Sequence, residues 1–265
     1  MKAVYLQGIG IAAPGLFGWP AARRVLLGET AWQDEALAKL VPQLLPPNER
    51  RRTTALIKLA LQVAEEAVTM AGTEAAQANT VFASSDGDFY IVDRLCDALL
   101  QEGKPVSPTL FHNSVHNAPA GYWAIATASQ NPSTSISAAD ATFSAGLLES
   151  VSQLATNGSN VLLVAYDHPA PFPLDEKRHF VAPFGVALLL AARADDSTLA
   201  EMELHLPVEN DQILSRCSDG SMEALRQGNP AAASLPLLEA VARRQNCSIG
   251  LPYVAGNLLE VKIRA

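Results

Sequence analysis

The stretch from Ser133 to Ser150, STSISAADATFSAGLLES, constrains the fold of this chain more than any other part of it. It starts with β-forming residues, passes through a turn of small residues and continues with residues that favour a helix. The layout predicts a strand from Ser133 to Ala138, a sharp turn, and a helix from Thr142 to Thr156. Several enzyme folds use such a strand, turn and helix to expose a nucleophile. In this chain the turn carries Asp140.

Strands and helices alternate along the first two hundred or so residues of the chain. Apolar residues at helical spacing predict a helix from Asn48 to Ala71, which Gly72 ends. Other segments are almost uninterrupted apolar runs of strand length, namely Thr80 to Ala83, Val161 to Ala165 and Val186 to Ala191. Since strands buried on both faces are typical of sheets covered by helices, the pattern predicts an α/β fold. We expect layered α-β-α packing around a mostly parallel mixed sheet.

The bulk composition excludes several classes of function. The chain has 265 residues, of which 49% are hydrophobic and 17% charged, so it can bury a substantial core. A net charge of −8 argues against nucleic-acid binding, because phosphates require a basic surface. Three cysteines without paired spacing indicate a reducing compartment, and the apolar run Gly185 to Ala192 is too short to cross a bilayer. We therefore predict a cytoplasmic protein.

Three segments in the same order resemble the β-ketoacyl synthases, the condensing enzymes of fatty acid and polyketide synthesis. Ile136 to Thr142, ISAADAT, resembles the ISTACAT turn whose cysteine carries the acyl chain in those enzymes. Val4 to Pro14 and Phe180 to Leu190 resemble the first strand and the last strand of their first half. The resemblance implies a thiolase-like fold, with residues 1–206 as the N-terminal half of that fold.

The chain departs from a complete ketosynthase in two ways. Asp140 replaces the cysteine, and the last histidine is His205, so neither catalytic histidine of the second half has a counterpart. Residues 207–265 are predicted to be a reduced remnant of that second half, packed on the same domain. This pattern is similar to the short β-ketoacyl synthase-like N-terminal family, which resembles chain length factors. Such proteins pair with an active ketosynthase in type II polyketide systems, notably those that make aryl polyenes.

The resemblance implies a heterodimer interface and a wall for the partner's acyl tunnel. The interface strand includes Thr134, Ser135, Ile136, Ser137 and Ala138, with Asn117 nearby. The tunnel wall or gate lies in the loop Thr109 to Asn117, where the candidates are Leu110, Phe111, His112, Val115 and His116. The resemblance implies no cofactor and no metal, and an acyl carrier protein that is reached through the complex. No catalytic residue is assigned.

Other interpretations of the same residues remain open. His112 and His116 could bind a metal together with Asp140 or Asp167, although an interface or loop-anchoring role is favoured because no third ligand spacing is clear. Asp140 could act as an acid or base in decarboxylation, but a role as cap of the following helix is favoured.

Two further motifs are given ordinary structural roles. The Gly8-x-Gly10 pair does not fit a dinucleotide turn, because its third glycine is misplaced and no acidic partner follows. The Arg50-Arg51-Arg52 run could contact an acidic carrier protein, but it is more typical of an exposed helix start.

Three functions compete at this stage. The first is the non-catalytic chain length factor. The second is a stand-alone acyl-thioester enzyme, a decarboxylase, hydrolase or acyltransferase that uses Asp140. The third is a non-catalytic thiolase-like homodimer that binds acyl chains.

Overall fold

The computed structural model describes residues 3–206 and 214–265. A single mixed sheet runs through this part of the chain in the order β4-β3-β5-β6-β1-β7-β9-β8, with the short β2 paired to β1. The strands are β1 (Val4–Ala13), β2 (Leu16–Phe17), β3 (Asn79–Ala83), β4 (Ser133–Ile136), β5 (Val161–Asp167), β6 (Phe184–Ala191), β7 (Ala200–His205), β8 (Cys247–Pro252) and β9 (Leu258–Arg264).

Helices cover both faces of the sheet, as expected for α-β-α layers. They are α1 (Trp19–Leu26), α2 (Pro47–Arg52), α3 (Ala55–Met70), α4 (Phe89–Leu100), α5 (Pro108–Asn113), α6 (Ala118–Thr127), α7 (Thr142–Asn157), α8 (Gly220–Gly228) and α9 (Leu235–Ala242). One apolar core joins α1, α7, α8 and α9 to the sheet, and the other joins α3 and α6 to it.

The expectation of a mostly parallel sheet is wrong. In the described sheet only the pairs β4–β3 and β3–β5 are parallel, whereas each neighbouring pair from β5 through β6, β1, β7 and β9 to β8 is antiparallel. The apolar pattern was misleading because β5 and β6 are buried on both faces and yet pair antiparallel. Burial on both faces produces a continuous apolar run in either direction of pairing.

The glycine pair at the start of the chain is explained by close packing of β1 on α3. A Cβ atom at Gly8 would overlap the carbonyl oxygen of Ala67, and one at Gly10 would overlap that of Val63. Glycine is therefore required at both positions for the backbones to approach. The two residues lie within one continuous strand.

A half-buried glutamate joins the same helix to the first turn of α1. The Glu66 carboxylate accepts hydrogen bonds from the Ile11 amide at 3.0 Å and from the Trp19 amide. Burial raises the pKa of Glu66, and these two amide donors partly oppose that effect. The contacts tie α3 to both β1 and α1.

Several predicted boundaries change in the structure. The helix expected from Asn48 to Ala71 is two helices, because Thr53 is extended and Thr54 caps α3 by accepting from the Ile57 amide. The predicted gate loop contains α5, whose first turn is capped by Ser107. A 3-10 turn over Pro230–Ser234 leads directly into α9.

The C-terminal part of the described chain extends the same sheet. Strand β9 pairs with β7 on one side and with β8 on the other. Residues 207–213, where the predicted second-half remnant begins, lie outside the described residues, and Gly220–Gly228 is α8. In the described ranges, no helix is both long and apolar enough to cross a membrane.

Candidate functional site

The predicted turn after β4 is present, and its conformation is unusual for alanine. Ala139 has a φ of 48°, and a 3-10 turn over Ala139–Ala141 leads into α7. A left-handed alanine costs on the order of 1 kcal/mol, so surrounding contacts must hold it. Thr142 supplies two of them, because its Oγ1 accepts from the Ala138 amide at 2.9 Å and donates to the Ala139 carbonyl at 2.6 Å.

Asp140 projects from this turn and is bound by an arginine. Its Oδ1 accepts a hydrogen bond from Arg178 Nη1 at 2.6 Å, and Arg178 Nε bonds to Asp86 Oδ2 at 2.7 Å. The Asp140 side chain is 79% exposed, whereas those of Arg178 and Asp86 are 26% and 19% exposed. The Arg178 guanidinium also lies 4.9 Å from the centre of the Phe180 ring.

The expectation that Asp140 caps the following helix is wrong. Helix α7 has Ala141 at its N-cap and no side-chain capping bond. Arg178 draws the Asp140 carboxylate into an ion pair, and Thr142 provides the hydroxyl that closes the turn. Thr142 thus satisfies the backbone at the start of the helix, while Arg178 binds the Asp140 carboxylate.

A buried carboxylate joins the ends of β3 and β5 beneath this turn. Asp167 Oδ1 accepts from the Ser85 amide at 2.8 Å, from the Ser85 hydroxyl at 2.8 Å and from the Ser84 hydroxyl at 3.1 Å. Ser137 Oγ donates to the Ser85 carbonyl at 2.6 Å, which links the same segment to β4. Burial raises the pKa of Asp167 to about 7, against the lowering effect of the three hydrogen bonds.

These contacts connect the carboxyl ends of all three parallel strands. Asp86 follows β3, Asp140 follows β4, and Arg178 follows β5, so the guanidinium closes a bridge across them. Asp86 and Arg178 are not among the site residues predicted from the sequence. The polar run after β3 offered a signal for the first, since polar residues at the ends of parallel strands meet at one sheet edge. No local pattern identified Arg178.

The predicted interface strand lies at an open edge of the sheet. Thr134, Ser135 and Ile136 belong to β4, which pairs with β3 on one side and has no described strand on the other. Ser137 and Ala138 follow it in the turn. Helix α6 packs against β4, so the edge adjoins the surface formed by α5 and α6.

The predicted gate residues divide between two environments. Phe111, His112 and Val115 line an apolar groove of about 470 Å³ between α5 and α6, together with Pro108, Asn117, Ala118, Gly121, Tyr122 and Ile125. We call this the α5–α6 groove. Leu110 and His116 are not among its lining residues. Their role in a gate stays a prediction.

The groove has a rigid base and an exposed apolar rim. Asn113 donates to the Arg52 carbonyl at 2.9 Å and accepts from the Tyr122 hydroxyl at 2.9 Å, which fixes α5 against α2 and α6. Phe111 and Ile125, in contrast, are each 66% exposed. Exposed apolar side chains that share one concavity are typical of a surface covered by a partner or a ligand.

The two histidines of the predicted gate make different contacts. His116 Nε2 lies 2.9 Å from the Ser84 carbonyl, and the His112 ring meets Tyr122 edge-on at 6.4 Å. Among residues 3–206 and 214–265, no group of three histidine, cysteine, aspartate or glutamate side chains is placed to hold a metal ion. The geometry of both histidines is that of loop and helix anchoring.

A comparison with protein families identifies the class of this chain. The family model of the β-ketoacyl synthase N-terminal domain matches residues 26–250. The chain therefore belongs to the β-ketoacyl synthase N-terminal domain family. A comparison with curated protein sequences found no match.

Solved structures with the same fold include components of ketosynthase complexes. A chain from the ketosynthase ApeO in complex with its chain length factor ApeC, from Xenorhabdus doucetiae, superimposes with a TM-score of 0.74 at 20% identity, covering 99% of this chain and 100% of that one. A chain of the ishigamide ketosynthase/chain length factor gives 0.75 at 13% identity, with 99% of each chain covered. A β-ketoacyl synthase from Burkholderia phymatum gives 0.59 at 14% identity, covering 92% of this chain and 78% of that chain. The thiolase-like fold is thus confirmed.

Proposed function

We propose that this chain is a non-catalytic chain length factor. It forms a heterodimer with an active β-ketoacyl-ACP synthase and closes the acyl tunnel of that enzyme, which sets the length of a polyketide or polyene product. The observation that carries the proposal is the coexistence of a retained turn without a thiol and an exposed apolar groove beside an open sheet edge. Likeness to chains from ketosynthase and chain length factor complexes supports it.

The chemistry of the turn supports a non-catalytic role. A carboxylate is a poor nucleophile toward a thioester, because the mixed anhydride that would form is more reactive than the thioester itself. The ion pair with Arg178 further stabilises the charged carboxylate. Asp140 is therefore a structural residue in this proposal, and the attacking cysteine belongs to the partner.

The open edge of the sheet supports the mode of pairing. Strand β4 presents unpaired backbone groups along its outer side, and another strand can satisfy them by extending the sheet. We propose that Thr134 to Ala138 pair with the equivalent strand of the ketosynthase, with Asn117 at the border of the contact. The α5–α6 groove would then be covered by the same partner.

The groove supports a role in product length. Once the partner covers the groove, Phe111 and Val115 become part of a closed wall. Each methylene group of the acyl chain that this wall prevents from being buried loses about 0.8 kcal/mol of hydrophobic stabilisation. We propose that this wall ends the tunnel, with Leu110, His112 and His116 supporting it. The acyl carrier protein is reached through the complex.

Three finer assignments belong to the same proposal. The product class is an aryl polyene, the location is the cytoplasm, and residues 207–265 are the reduced remnant of the second thiolase half. The pairing of β9 with β7 supports the last of these, because it places that segment in the same sheet as the N-terminal half.

The proposal is tested by co-expressing the chain with a ketosynthase and a carrier protein encoded beside it. Native mass measurement should show a heterodimer, and Phe111→Ala and Leu110→Ala should lengthen the product by whole extension units. Asp140→Asn is the matched control and should leave product length unchanged. Turnover of an acyl thioester by the purified chain alone, abolished by Asp140→Asn, would instead support the stand-alone enzyme.

A further inference from the structure

A single serine hydroxyl lies between two carboxylates at the carboxyl ends of β3 and β5. Ser85 Oγ is 2.8 Å from Asp167 Oδ1 and 3.1 Å from Asp86 Oδ2. Ser85 and Asp167 are both buried. A serine hydroxyl has one proton to donate, whereas an ionised carboxylate can only accept. If both carboxylates are ionised, one of the two contacts therefore has no hydrogen atom between its oxygens.

The second oxygen of Asp167 indicates which carboxyl group holds the additional proton. Within the described ranges, Asp167 Oδ2 is buried and has no hydrogen-bonding partner, although Oδ1 accepts from three donors. An ionised carboxylate spreads its charge over both oxygens, so part of the charge would be buried and unpaired. Burial accordingly raises the pKa of Asp167 to about 7, and the charge of Asp86 acts in the same direction. Asp86 itself has a charged partner, because its Oδ2 accepts from Arg178 Nε at 2.7 Å. The proton therefore belongs on Asp167.

We propose that Asp167, Ser85 and Asp86 form a shared-proton site, and that its occupancy controls the turn after β4. With the proton bound, Asp167 Oδ1 donates to Ser85 Oγ, which in turn donates to Asp86 Oδ2. When the proton leaves to water, the Ser85 hydroxyl rotates and donates to Asp167 Oδ1 instead. Asp86 Oδ2 then has one donor fewer, and the O–H bond of Asp167 is the one covalent bond that breaks.

Arg178 connects the shared-proton site to the turn. Its Nε donates to Asp86 Oδ2 at 2.7 Å, and its Nη1 donates to Asp140 Oδ1 at 2.6 Å. Because the guanidinium is planar and rigid, movement toward one carboxylate changes the distance to the other. Proton release removes the Ser85 donor from Asp86 and leaves more of the Asp86 charge for Arg178. The guanidinium is then drawn toward Asp86, and its bond to the exposed Asp140 weakens.

Other titratable groups surround the site and have to be separated from it in a titration. His116 Nε2 lies 2.9 Å from the Ser84 carbonyl, and His168 follows Asp167 directly. The 3-10 turn before α9 contributes the uncharged amide of Asn229, whose Nδ2 donates to the Asp167 carbonyl at 3.4 Å. Histidine side chains in general change charge near neutral pH, so they are the main competitors. The charged and titratable groups around the site are Asp86, Asp88, His116, Asp140, Tyr166, His168, Arg178 and His179.

An NMR titration of the whole chain tests the proposal in the wild type. The chain carries isotope-labelled aspartate and arginine, and spectra are recorded from about pH 4 to 9, which spans both the ordinary and the raised value for Asp167. One aspartate carboxyl resonance should move with a midpoint of about 7, and the Arg178 Nε–H resonance should move with the same midpoint. Asp167→Asn should abolish both movements, while any movement that histidines cause persists.

Serine variants separate a shared proton from a charge that acts through space. In Ser85→Ala, Asp167 should still titrate, whereas the response of Arg178 should be largely lost. Ser84→Ala is the matched control, because it removes a hydroxyl that donates to the same Asp167 oxygen at 3.1 Å and is not hydrogen-bonded to Asp86. It should leave the Arg178 response intact. Ser85→Thr keeps the hydroxyl and should retain the response.

Two results in the wild type overturn the proposal without any variant. One is an Asp167 resonance that titrates near its ordinary value of 3.8, and the other is an Arg178 Nε–H resonance that does not move at the Asp167 midpoint. A third result, an Arg178 response as large in Ser85→Ala as in the wild type, would show that the hydroxyl does not carry the coupling. Amide spectra of the variants confirm that they are folded.

Discussion

The turn that carries Asp140 and the α5–α6 groove both adjoin β4, but they differ in how far the chain itself completes them. At the turn, Arg178 donates hydrogen bonds to both Asp140 and Asp86, and Thr142 closes the backbone. At the groove, Phe111 and Ile125 remain exposed. The difference teaches that the chain satisfies the polar groups of the turn by itself, whereas it leaves the apolar rim of the groove exposed.

The largest effect is expected at the buried carboxylate beneath the turn. Because burial holds the pKa of Asp167 at about 7, above its ordinary value of 3.8, the folded chain binds this proton more tightly than the unfolded chain. The contribution to stability is fully present below pH 3.8 and is lost as the pH rises through about 7. At about 1.4 kcal/mol per pKa unit, the total is on the order of 4 kcal/mol.

Urea unfolding of wild type and Asp167→Asn across this pH range measures that contribution. As the pH rises from 4 to 8 or so, the unfolding free energy of the wild type should fall relative to that of Asp167→Asn, because the variant has no proton to lose at this position. A constant difference across the range would show that Asp167 ionises in the folded chain as it does in the unfolded one.

The next largest effect on stability is expected at the ion pairs that Arg178 makes with Asp86 and Asp140. Arg178→Met removes the guanidinium and leaves the largely buried Asp86 without its charged partner, so the free energy of unfolding should fall by about 1–3 kcal/mol. Chemical denaturation measures the loss. Asp86→Asn combined with Arg178→Met should recover part of it, and no recovery would mean that the arginine acts through its packing on Phe180.

At the α5–α6 groove we expect a small change in the stability of the chain and a larger change in its affinity for a partner. Ile125→Ser should change the unfolding free energy of the chain by less than about 0.5 kcal/mol, because the side chain is already exposed. The affinity for the proposed ketosynthase partner should fall by about tenfold or more. Phe17→Ser, at an exposed apolar residue of β2, is the matched control and should leave the affinity unchanged.

The smallest effect is expected at Asp140 itself. Its side chain is exposed, and an exposed ion pair contributes about 0–1 kcal/mol. Asp140→Asn should therefore lower stability only slightly and leave the product of the complex unchanged. A loss of product with an intact heterodimer would show that the carboxylate takes part in the chemistry.

Local features of the fold could be predicted from residue types, and long-range ones could not. The strand, turn and helix from Ser133 onward follow from β-forming residues, small residues and a helical segment in succession, and β4 and α7 occupy those places. The break of the predicted helix at Thr53 was missed, because both its halves fit one helical pattern and a capping threonine also occurs inside helices. The short helix α5 was missed because Pro and Ser residues favour both loops and helix starts.

The candidate site shows the same division. The position of Asp140 at a sharp turn, and the absence of a thiol there, were available from the sequence alone. Its partner Arg178 is 38 residues away, and no spacing or composition connects the two. Phe111, His112 and Val115 were expected to act together and do share one groove, whereas the hydrogen bond of His116 to the Ser84 carbonyl depends on where β3 ends.

The sequence by itself determined the layered α/β architecture, the turn after β4 and the aspartate that this turn carries, because these depend on residue type and on contacts between near neighbours. Tertiary structure alone decided the antiparallel pairing of β5 with β6, the ion pair of Asp140 with Arg178 and the hydrogen bond of His116 to the Ser84 carbonyl. Those features depend on which segments meet after the chain has crossed the sheet several times. The free energy of such contacts is shared between distant residues, so no local pattern records it.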